Sequence, residues 1–318
     1  MKVVFFGTPE FAVPALAAVA DRFEVMLVVA QPDRPKGRGR TLAAPPVKEA
    51  ALARGIVVLQ VESPNAPAAL SALRAIEPDL FVVVAYGAIL SAELLAVPKH
   101  GAINLHASLL PRYRGASPIQ AALLDGAAET GASTMWMDEG LDTGDVIAVS
   151  RLAIGPDETA GELSDRLAAS GARLLADTIA AVEAGTATRT PQSAEGASVT
   201  KKIRKDAGRL DFTQPAARVH ERARAMTPWP GALAEFAGEP VRFARTRLAP
   251  AGTGAAGAVL GDGPSGGLLV ACGEGAIEVL RVVPAGRAEM DAQAWWRGLR
   301  KGKDDAPRFT TPQHEEMS

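Results

Sequence analysis

The stretch Ile103-Asn104-Leu105-His106-Ala107-Ser108-Leu109-Leu110-Pro111-Arg112-Tyr113-Arg114-Gly115-Ala116-Ser117-Pro118 is where an apolar run stops and polar groups crowd in. Alternate residues of a strand share a face, so an extended Ile103 to His106 points Asn104 and His106 the same way and Ile103 and Leu105 inward. That pairs an amide with an imidazole. The amide can donate to a carbonyl oxygen as it gains negative charge, and an imidazole can move a proton or donate to the same oxygen. An isolated Asn-x-His is more often a strand end beside a backbone cap, so the surroundings decide its meaning.

Upstream, strand-like and helix-like patterns alternate. Val3 to Phe6 is an apolar run broken by Gly7-Thr8-Pro9-Glu10. Phe11 to Val19 then has helical spacing, with Pro14 tolerable only in the first turn. With one glycine at this turn, the Gly-x-Gly-x-x-Gly signature of dinucleotide binding is missing, and nicotinamide chemistry loses its main support. Val25 to Ala30 reads as a second strand. Gln31 to Pro46 reads as a loop whose Arg34, Lys36, Arg38 and Arg40 form either a solvated surface or a grip on phosphates. Helical patterns at Pro46 to Arg54 and Ala66 to Ile76 alternate with strands at Ile56 to Leu59 and Leu80 to Val84. Such alternation predicts a mostly parallel sheet with helices on both faces and ligands beyond the carboxyl ends of the strands. Gly7-Thr8, Ala85-Tyr86-Gly87 and Asn104 to His106 all fall at such ends, so a common cleft is expected.

Downstream, Pro118 to Leu124 reads as a helix. Ala132 to Met137 and Val146 to Leu152 read as strands flanking a Gly140 to Gly144 loop that carries Asp142. Thr159 and Glu162 have capping-box spacing before Leu163, Leu167, Leu174, Ile179 and Val182, predicting a long helix that ends at Gly185. Residues 186–198 are small and polar, and Lys201-Lys202-Ile203-Arg204-Lys205 turns basic, so this stretch reads as a linker. Short β-like runs follow at Arg209 to Phe212, Gly231 to Phe236, Val241 to Leu248, Gly257 to Leu260, Leu268 to Cys272 and Ile277 to Val282. They suggest a small barrel, with a loosely ordered tail after Arg297.

Composition bounds the classes. The 318 residues are 47% hydrophobic, ordinary for a packed protein. No apolar run reaches the ~20 residues needed to cross a bilayer, and Met1 leads straight into Val3-Val4-Phe5-Phe6 without a basic leader, so a cytoplasmic protein is expected. The net charge of -2 is uneven: Lys and Arg number 16 against 22 Asp and Glu in residues 1–200, but 18 against 14 in residues 201–318. The basic second part suggests an anionic partner. Cys272 is the single cysteine and reads as strand core. The four histidines, at 100, 106, 220 and 314, lack metal-ligand spacing, so no metal is expected.

Two blocks, Asn104-Leu-His-Ala-Ser-Leu-Leu-Pro111 and Met137-Asp-Glu-Gly-Leu-Asp142-Thr-Gly-Asp145, together resemble the hallmarks of the folate-dependent formyltransferases. The segments Gly7-Thr-Pro-Glu-Phe11, Gln31 to Gly39, Ala85-Tyr-Gly87, Arg114 to Gln120 and Pro228-Trp-Pro230 extend the resemblance over nearly the whole chain, toward members that formylate methionyl initiator tRNA. The resemblance implies an α/β fold: a Rossmann-like, mostly parallel formyltransferase domain (1–188), a linker (189–206) and an OB-like β-barrel domain that binds tRNA (207–318). It implies 10-formyltetrahydrofolate as formyl donor and co-substrate, and a monomer. It makes Asn104, His106 and Asp142 the catalytic three, with Asp142 either stabilising His106 or accepting the amine's proton through water; Asp145 is then the structural carboxylate. Folate contacts are expected from Tyr86, Gly87, Leu90, Ser108, Leu109, Leu110, Pro111, Asp138 and Gly140. Contacts with tRNA are expected from Arg34, Lys36, Arg38, Arg40, Lys201, Lys202, Arg204 and Lys205. Two other readings stand beside it. One changes the acceptor to a sugar-nucleotide amine or glycinamide ribonucleotide, against which the C-terminal hundred residues argue. The other is a noncatalytic RNA-binding protein, against which the intact Asn104, His106 and Asp142 argue.

Overall fold

The computed structural model describes residues 1–36, 41–299 and 308–312. Contacts divide the chain into two units. One comprises residues 1–118, 129–152 and 164–200, and the other residues 119–128, 153–163 and 201–318.

In the first unit the alternation takes the expected form. Strand β1 (Lys2–Gly7) leads to helix α1 (Val13–Ala20), where Pro14 sits in the first turn. Strand β2 (Glu24–Ala30) follows, then a hairpin of β3 (Arg34–Lys36) and β4 (Thr41–Ala43). Next come α2 (Pro46–Ala53), β5 (Val58–Gln60), α3 (Pro67–Ala75), β6 (Leu80–Val84), α4 (Ala92–Leu95), β7 (Ala102–His106) and the short β8 (Arg114–Gly115). Helix α5 (Pro118–Leu124), which from Ile119 on belongs to the other unit, precedes β9 (Glu129–Trp136) and β10 (Val146–Ala153) in the chain. Helix α6 (Ala160–Glu183) and the two-residue β11 (Val199–Thr200) complete the series.

The main sheet runs β10-β9-β7-β6-β1-β2-β5. Pairings β1/β2, β1/β6, β2/β5 and β6/β7 are parallel, while β7/β9 is antiparallel. Strands covered on both faces must be apolar throughout, and Leu80–Val84 is buried at every position. One face packs Val3, Phe5, Ile103 and Leu105 with Leu175, Ile179 and Val182 of α6; the other packs Phe6, Phe81, Leu73 and Tyr86. Leu105 thus points inward as its alternation with His106 requires.

The second unit contains an antiparallel sheet. Helix α7 (Ala216–Ala225) precedes β12 (Ala232–Phe236), β13 (Glu239–Leu248), β14 (Val259–Asp262), β15 (Leu268–Ala271), β16 (Ala276–Pro284) and β17 (Met290–Asp291). Helix α8 (Ala292–Gly298) and β18 (Phe309–Thr310) follow. The order is β14-β15-β16-β13-β12-β18, with β17 paired on β16. It is the curled, OB-like half-barrel that the sequence suggests, closed over Leu210, Phe243, Val270, Val279, Trp295 and Phe309. Cys272 is 3% exposed in this core, and burial pushes its thiol up to about 11.

Four local expectations are corrected. Gln31 to Pro46 is not all loop, because β3 and β4 pair within it. Arg209 to Phe212 forms one isolated bridge, Arg209 to Leu233, rather than a strand: Leu210 and Phe212 enter the core from the irregular chain that follows the 3-10 turn Lys205–Gly208. Helices α7 and α8 were unexpected. The buried face of α7 has Val219 as its one large apolar side chain among alanines, His220 and Arg224, too little for an apolar stripe, and α8 is one short segment capped by the Asp291 carboxylate on Ala294 N. Finally, Phe309 of the tail is 1% exposed and paired into the sheet.

His220 illustrates a polar group held in that helix. Its Nε2 donates to Pro156 O (2.9 Å) and its Nδ1 shares a 2.8 Å hydrogen bond with Thr246 Oγ1, a hydroxyl that can donate to the neutral ring. Burial holds its pKa below the ordinary 6.5, with Arg224 adding to the depression and the Pro156 bond and Asp157 opposing it. The unfolded chain therefore binds the extra proton first. The contribution of His220 to stability is thus fully present above pH 6.5 and is lost as pH falls below that value toward the lowered folded pKa. Urea unfolding across this range should show the decline, and His220→Gln should flatten it.

Candidate active site

Strand β7 ends in Asn104 and His106, which are 8% and 6% exposed. Met137 N donates to Ala102 O (2.8 Å) as the chain leaves β9, and the loop then folds back to bring Asp142 against both residues. Asp142 Oδ1 lies 3.5 Å from Asn104 Nδ2, and Oδ2 lies 3.6 Å from His106 Nδ1 while accepting a 2.7 Å bond from Gly115 N. The three residues, separated by up to 38 positions, thus form one cluster. Asp145 differs: its side chain only approaches Arg189 at 4.0 Å, and its carbonyl accepts from Trp136 N in the sheet.

The far side of the imidazole determines what the near side can do. His106 Nε2 lies 2.9 Å from Tyr113 O, an acceptor only, so Nε2 carries a hydrogen. In the neutral ring Nδ1 is then the basic nitrogen, and it faces Asp142. A proton taken up at Nδ1 lies between imidazole and carboxylate, and both ring N–H groups are satisfied.

The other expected positions divide by role. Ser108 is fully buried; its Oγ donates to Arg112 O (2.6 Å) and its carbonyl accepts from Ser133 Oγ (2.7 Å), so it braces the loop that carries Leu109, Leu110 and Pro111. Ser133 also accepts from Leu110 N (3.1 Å). Tyr86 is 1% exposed, its ring edge-on to Phe6, and burial pushes its hydroxyl up to about 12. Tyr86 and the 3%-exposed Leu90 are therefore core. The chain at Gly87 and Ile89 between them is surface, held by Thr8 Oγ1 on Tyr86 O (2.8 Å) and Asn65 Nδ2 on Ile89 O (2.9 Å). Asp138 Oδ1 accepts from Gly140 N (3.0 Å) and Thr143 Oγ1 (2.8 Å), shaping its own loop. Ile89 and Leu141 are 78% and 55% exposed on these two loops. Exposed apolar side chains beside polar main chain suit a flat heterocycle such as a pterin, so the residues present fit a folate donor.

Of the expected tRNA contacts, Arg34 is exposed on β3, its guanidinium 3.4 Å from Gln31 Oε1. Lys36 ends that strand; Arg38 and Arg40 lie outside the described residues. Lys201, Lys202, Arg204 and Lys205 are exposed, with Arg204 Nε 3.6 Å from Asp206. The site includes groups that sequence reasoning missed, namely Tyr113 O, Gly115 N and Asn65. Main-chain partners have no side-chain signature, although the Arg114-Gly-Ala segment contains one of them, Gly115, and directly follows the other, Tyr113. Among the described residues no three His, Cys, Asp or Glu side chains gather where they could hold a metal, and no helix is long and apolar enough to cross a membrane.

An Asn/His/Asp cluster at the end of a Rossmann-like sheet, followed by an OB-like half-barrel, defines a class of acyl-transfer enzyme. The chain belongs to the formyl transferase family: residues 1–179 match its formyl transferase domain and residues 202–300 its C-terminal domain. It is a formyl-transferring enzyme, and 10-formyltetrahydrofolate is the family's donor. Two relatives named methionyl-tRNA formyltransferase show how far the likeness extends. The one from Myxococcus xanthus is 48% identical over 96% of this chain and 97% of its own length; the one from Symbiobacterium thermophilum is 45% identical over 98% and 96%. Among solved structures, a sugar 3N-formyl transferase in the presence of dTDP and 5-N-formyl-THF matches with a TM-score of 0.66 at 17% identity, covering 91% of this chain and 99% of that one. HypX from Aquifex aeolicus in complex with tetrahydrofolic acid matches with a TM-score of 0.62 at 16% identity, covering 98% and 51%. Both share the fold.

Proposed function

We propose that the chain transfers the formyl group of 10-formyltetrahydrofolate to the α-amino group of methionyl initiator tRNA, giving N-formylmethionyl-tRNA for translation initiation. The observation that carries this reading is the near-full-length identity of 48% and 45% to relatives of that name. The donor supplies a carbonyl carbon attached to a nitrogen that leaves. As the amine attacks, a C–N bond forms to the methionine, the bond to the folate nitrogen breaks, the amine loses a proton and the folate nitrogen gains one.

Asn104 Nδ2 donates to the formyl oxygen as its charge grows. His106, held by Tyr113 O, carries the mobile proton at Nδ1, and Asp142 stabilises the imidazolium. The loops at Tyr86 to Leu90, Ser108 to Pro111 and Asp138 to Gly140 form the folate cleft. Residues 1–188 are the catalytic domain, 189–206 the linker and 207–318 the tRNA-binding domain. Arg34, Lys36, Arg38 and Arg40 position the acceptor end, while Lys201, Lys202, Arg204 and Lys205 hold the backbone. The enzyme works as a cytoplasmic monomer, to be checked by sedimentation.

The test offers formylfolate with methionyl initiator tRNA, free methionine and an amino-sugar nucleotide in separate reactions. Product from the tRNA alone is expected, and formylation of the sugar nucleotide in its place would overturn the reading. The basic segment predicts a second result. Replacing Lys201, Lys202 and Arg204 by Gln should weaken tRNA binding and make the slope of log K against log salt shallower by about 0.7 to 0.9 per lost phosphate contact.

A further inference from the structure

The polar stretch 190–200 reads as a linker in sequence, yet every inward-facing polar side chain in it grips the loops of the catalytic cluster. Thr190 is fixed on Val146 by two main-chain bonds (2.9 and 3.0 Å). From there Gln192, Ser198 and Thr200 are half-buried, while Pro191, residues 193–197 and Val199 are exposed. The three half-buried residues are the anchors.

Gln192 is fully used. Its Oε1 accepts from Arg114 Nε (3.0 Å) and Nη2 (2.8 Å), and its Nε2 donates to Asp142 O (2.9 Å) and Gly144 O (2.7 Å). The orientation of the amide is chemically forced, since turning it would set an oxygen against two carbonyls and an NH2 against a guanidinium. Ser198 Oγ accepts from Tyr113 N (2.8 Å), and Ser198 O from Arg114 N (2.8 Å). Thr200 Oγ1 donates to Arg114 O (3.1 Å) and accepts from Ser117 N (3.0 Å), while β11 pairs with β8 in parallel. Gly115 has φ 98°, and a Cβ there would lie 2.6 Å from Thr200 O, so only glycine lets the two strands approach.

These grips converge on the His106–Asp142 contact from both sides. Ser198 holds Tyr113 on both sides: its Oγ accepts from Tyr113 N, and its carbonyl accepts from Arg114 N, the N–H of the peptide whose carbonyl orients His106. Asp142 is held at its carbonyl by Gln192 and at its carboxylate by Gly115, which Thr200 fixes in turn. Asp142 has φ 54°, a left-handed conformation that a non-glycine residue keeps only when its surroundings impose it.

We propose that residues 190–200 are a positioning strap for the catalytic pair, with Gln192 the positioning residue that sets Asp142 against His106. The proposal rests on the catalytic role of Asp142. Displacing a reacting group by about an ångström costs on the order of a hundredfold in rate, and no other side-chain bond reaches the Asp142 carbonyl among the described residues. The linker's first half is thereby part of the active site.

The experiment compares Gln192→Ala, Gln192→Glu and Ser198→Ala in the full-length enzyme, each alone and with Asp142→Asn, measuring kcat, tetrahydrofolate affinity and the melting midpoint. Gln192→Glu is the sharper variant because it keeps the oxygen that faces Arg114 and replaces the donor to Asp142 and Gly144 by a second oxygen that their carbonyls repel. Both Gln192 variants should lower kcat tenfold or more and leave tetrahydrofolate affinity within twofold. In the Asp142→Asn background the same changes should cost less than twofold, since the group they position no longer acts. Ser198→Ala, which removes one hydroxyl and is the milder test if the Gln192 variants fold poorly, should lower kcat severalfold. Wild-type kcat in Gln192→Glu and Ser198→Ala, or an undiminished effect in the Asp142→Asn background, would overturn the strap. Wild-type turnover in Asp142→Asn itself would instead remove the reading beneath it.

Discussion

His106→Ala is expected to lower kcat by a hundredfold or more while tetrahydrofolate affinity stays near wild type. Removing a positioned acid-base group costs about 10² to 10⁴ in rate, and His106 Nδ1 is the basic atom that faces Asp142 while Nε2 is held on Tyr113 O. Asn104→Ala should fall in the same range, because losing one preformed donor to a developing oxyanion costs about 10² to 10³. Single-turnover formylation with saturating donor separates chemistry from binding, and equilibrium binding of tetrahydrofolate shows whether the cleft survives. Both side chains lie on the face of β7 opposite Leu105, which packs into the core, so their truncation leaves the inward apolar face of the strand intact. Wild-type turnover in either purified variant would remove that residue from the mechanism.

The parts of this molecule that could be read from sequence are those whose cause is local. Leu80–Val84 is buried on both faces and shows it as an unbroken apolar run, and the α6 start shows itself as Thr159 and Glu162, which bond reciprocally in the folded chain. The clustering of Asn104, His106 and Asp142 was legible because the contacts are between side chains and their spacing resembles a family motif. The supports of the site were not legible. Tyr113 O and Gly115 N act through the main chain, and no residue type encodes them. Gln192 sits in a Pro, Ser and Gly context that reads as linker, and only the tertiary pairing of β11 with β8 shows what it holds. Helix α7 was hidden for a different reason: its buried face includes His220 and Arg224, whose partners are Pro156 O and Gly155 O rather than an apolar neighbour.

Asp142→Asn and Asp145→Asn, three positions apart, should separate cleanly. Asparagine at 142 keeps the volume, tolerates the left-handed φ of 54° and retains an oxygen for Gly115 N, so the loop should fold as before. What it loses is the negative charge 3.6 Å from His106 Nδ1. A neutral amide can neither stabilise an imidazolium by charge nor take a proton from it, and its NH2 competes for the lone pair of Nδ1. A fall in kcat of a hundredfold or more is expected, in line with other losses of a charge or donor aimed at a reacting centre. Asp145 has no such contact: its side chain is one-third exposed, and its nearest cation, Arg189, is 4.0 Å away. Exposed pairs of that kind contribute about 0 to 1 kcal/mol, so Asp145→Asn should change kcat by less than about threefold. Steady-state formylation by the two purified variants is the measurement. An inactive Asp145→Asn beside an active Asp142→Asn would reverse the assignment.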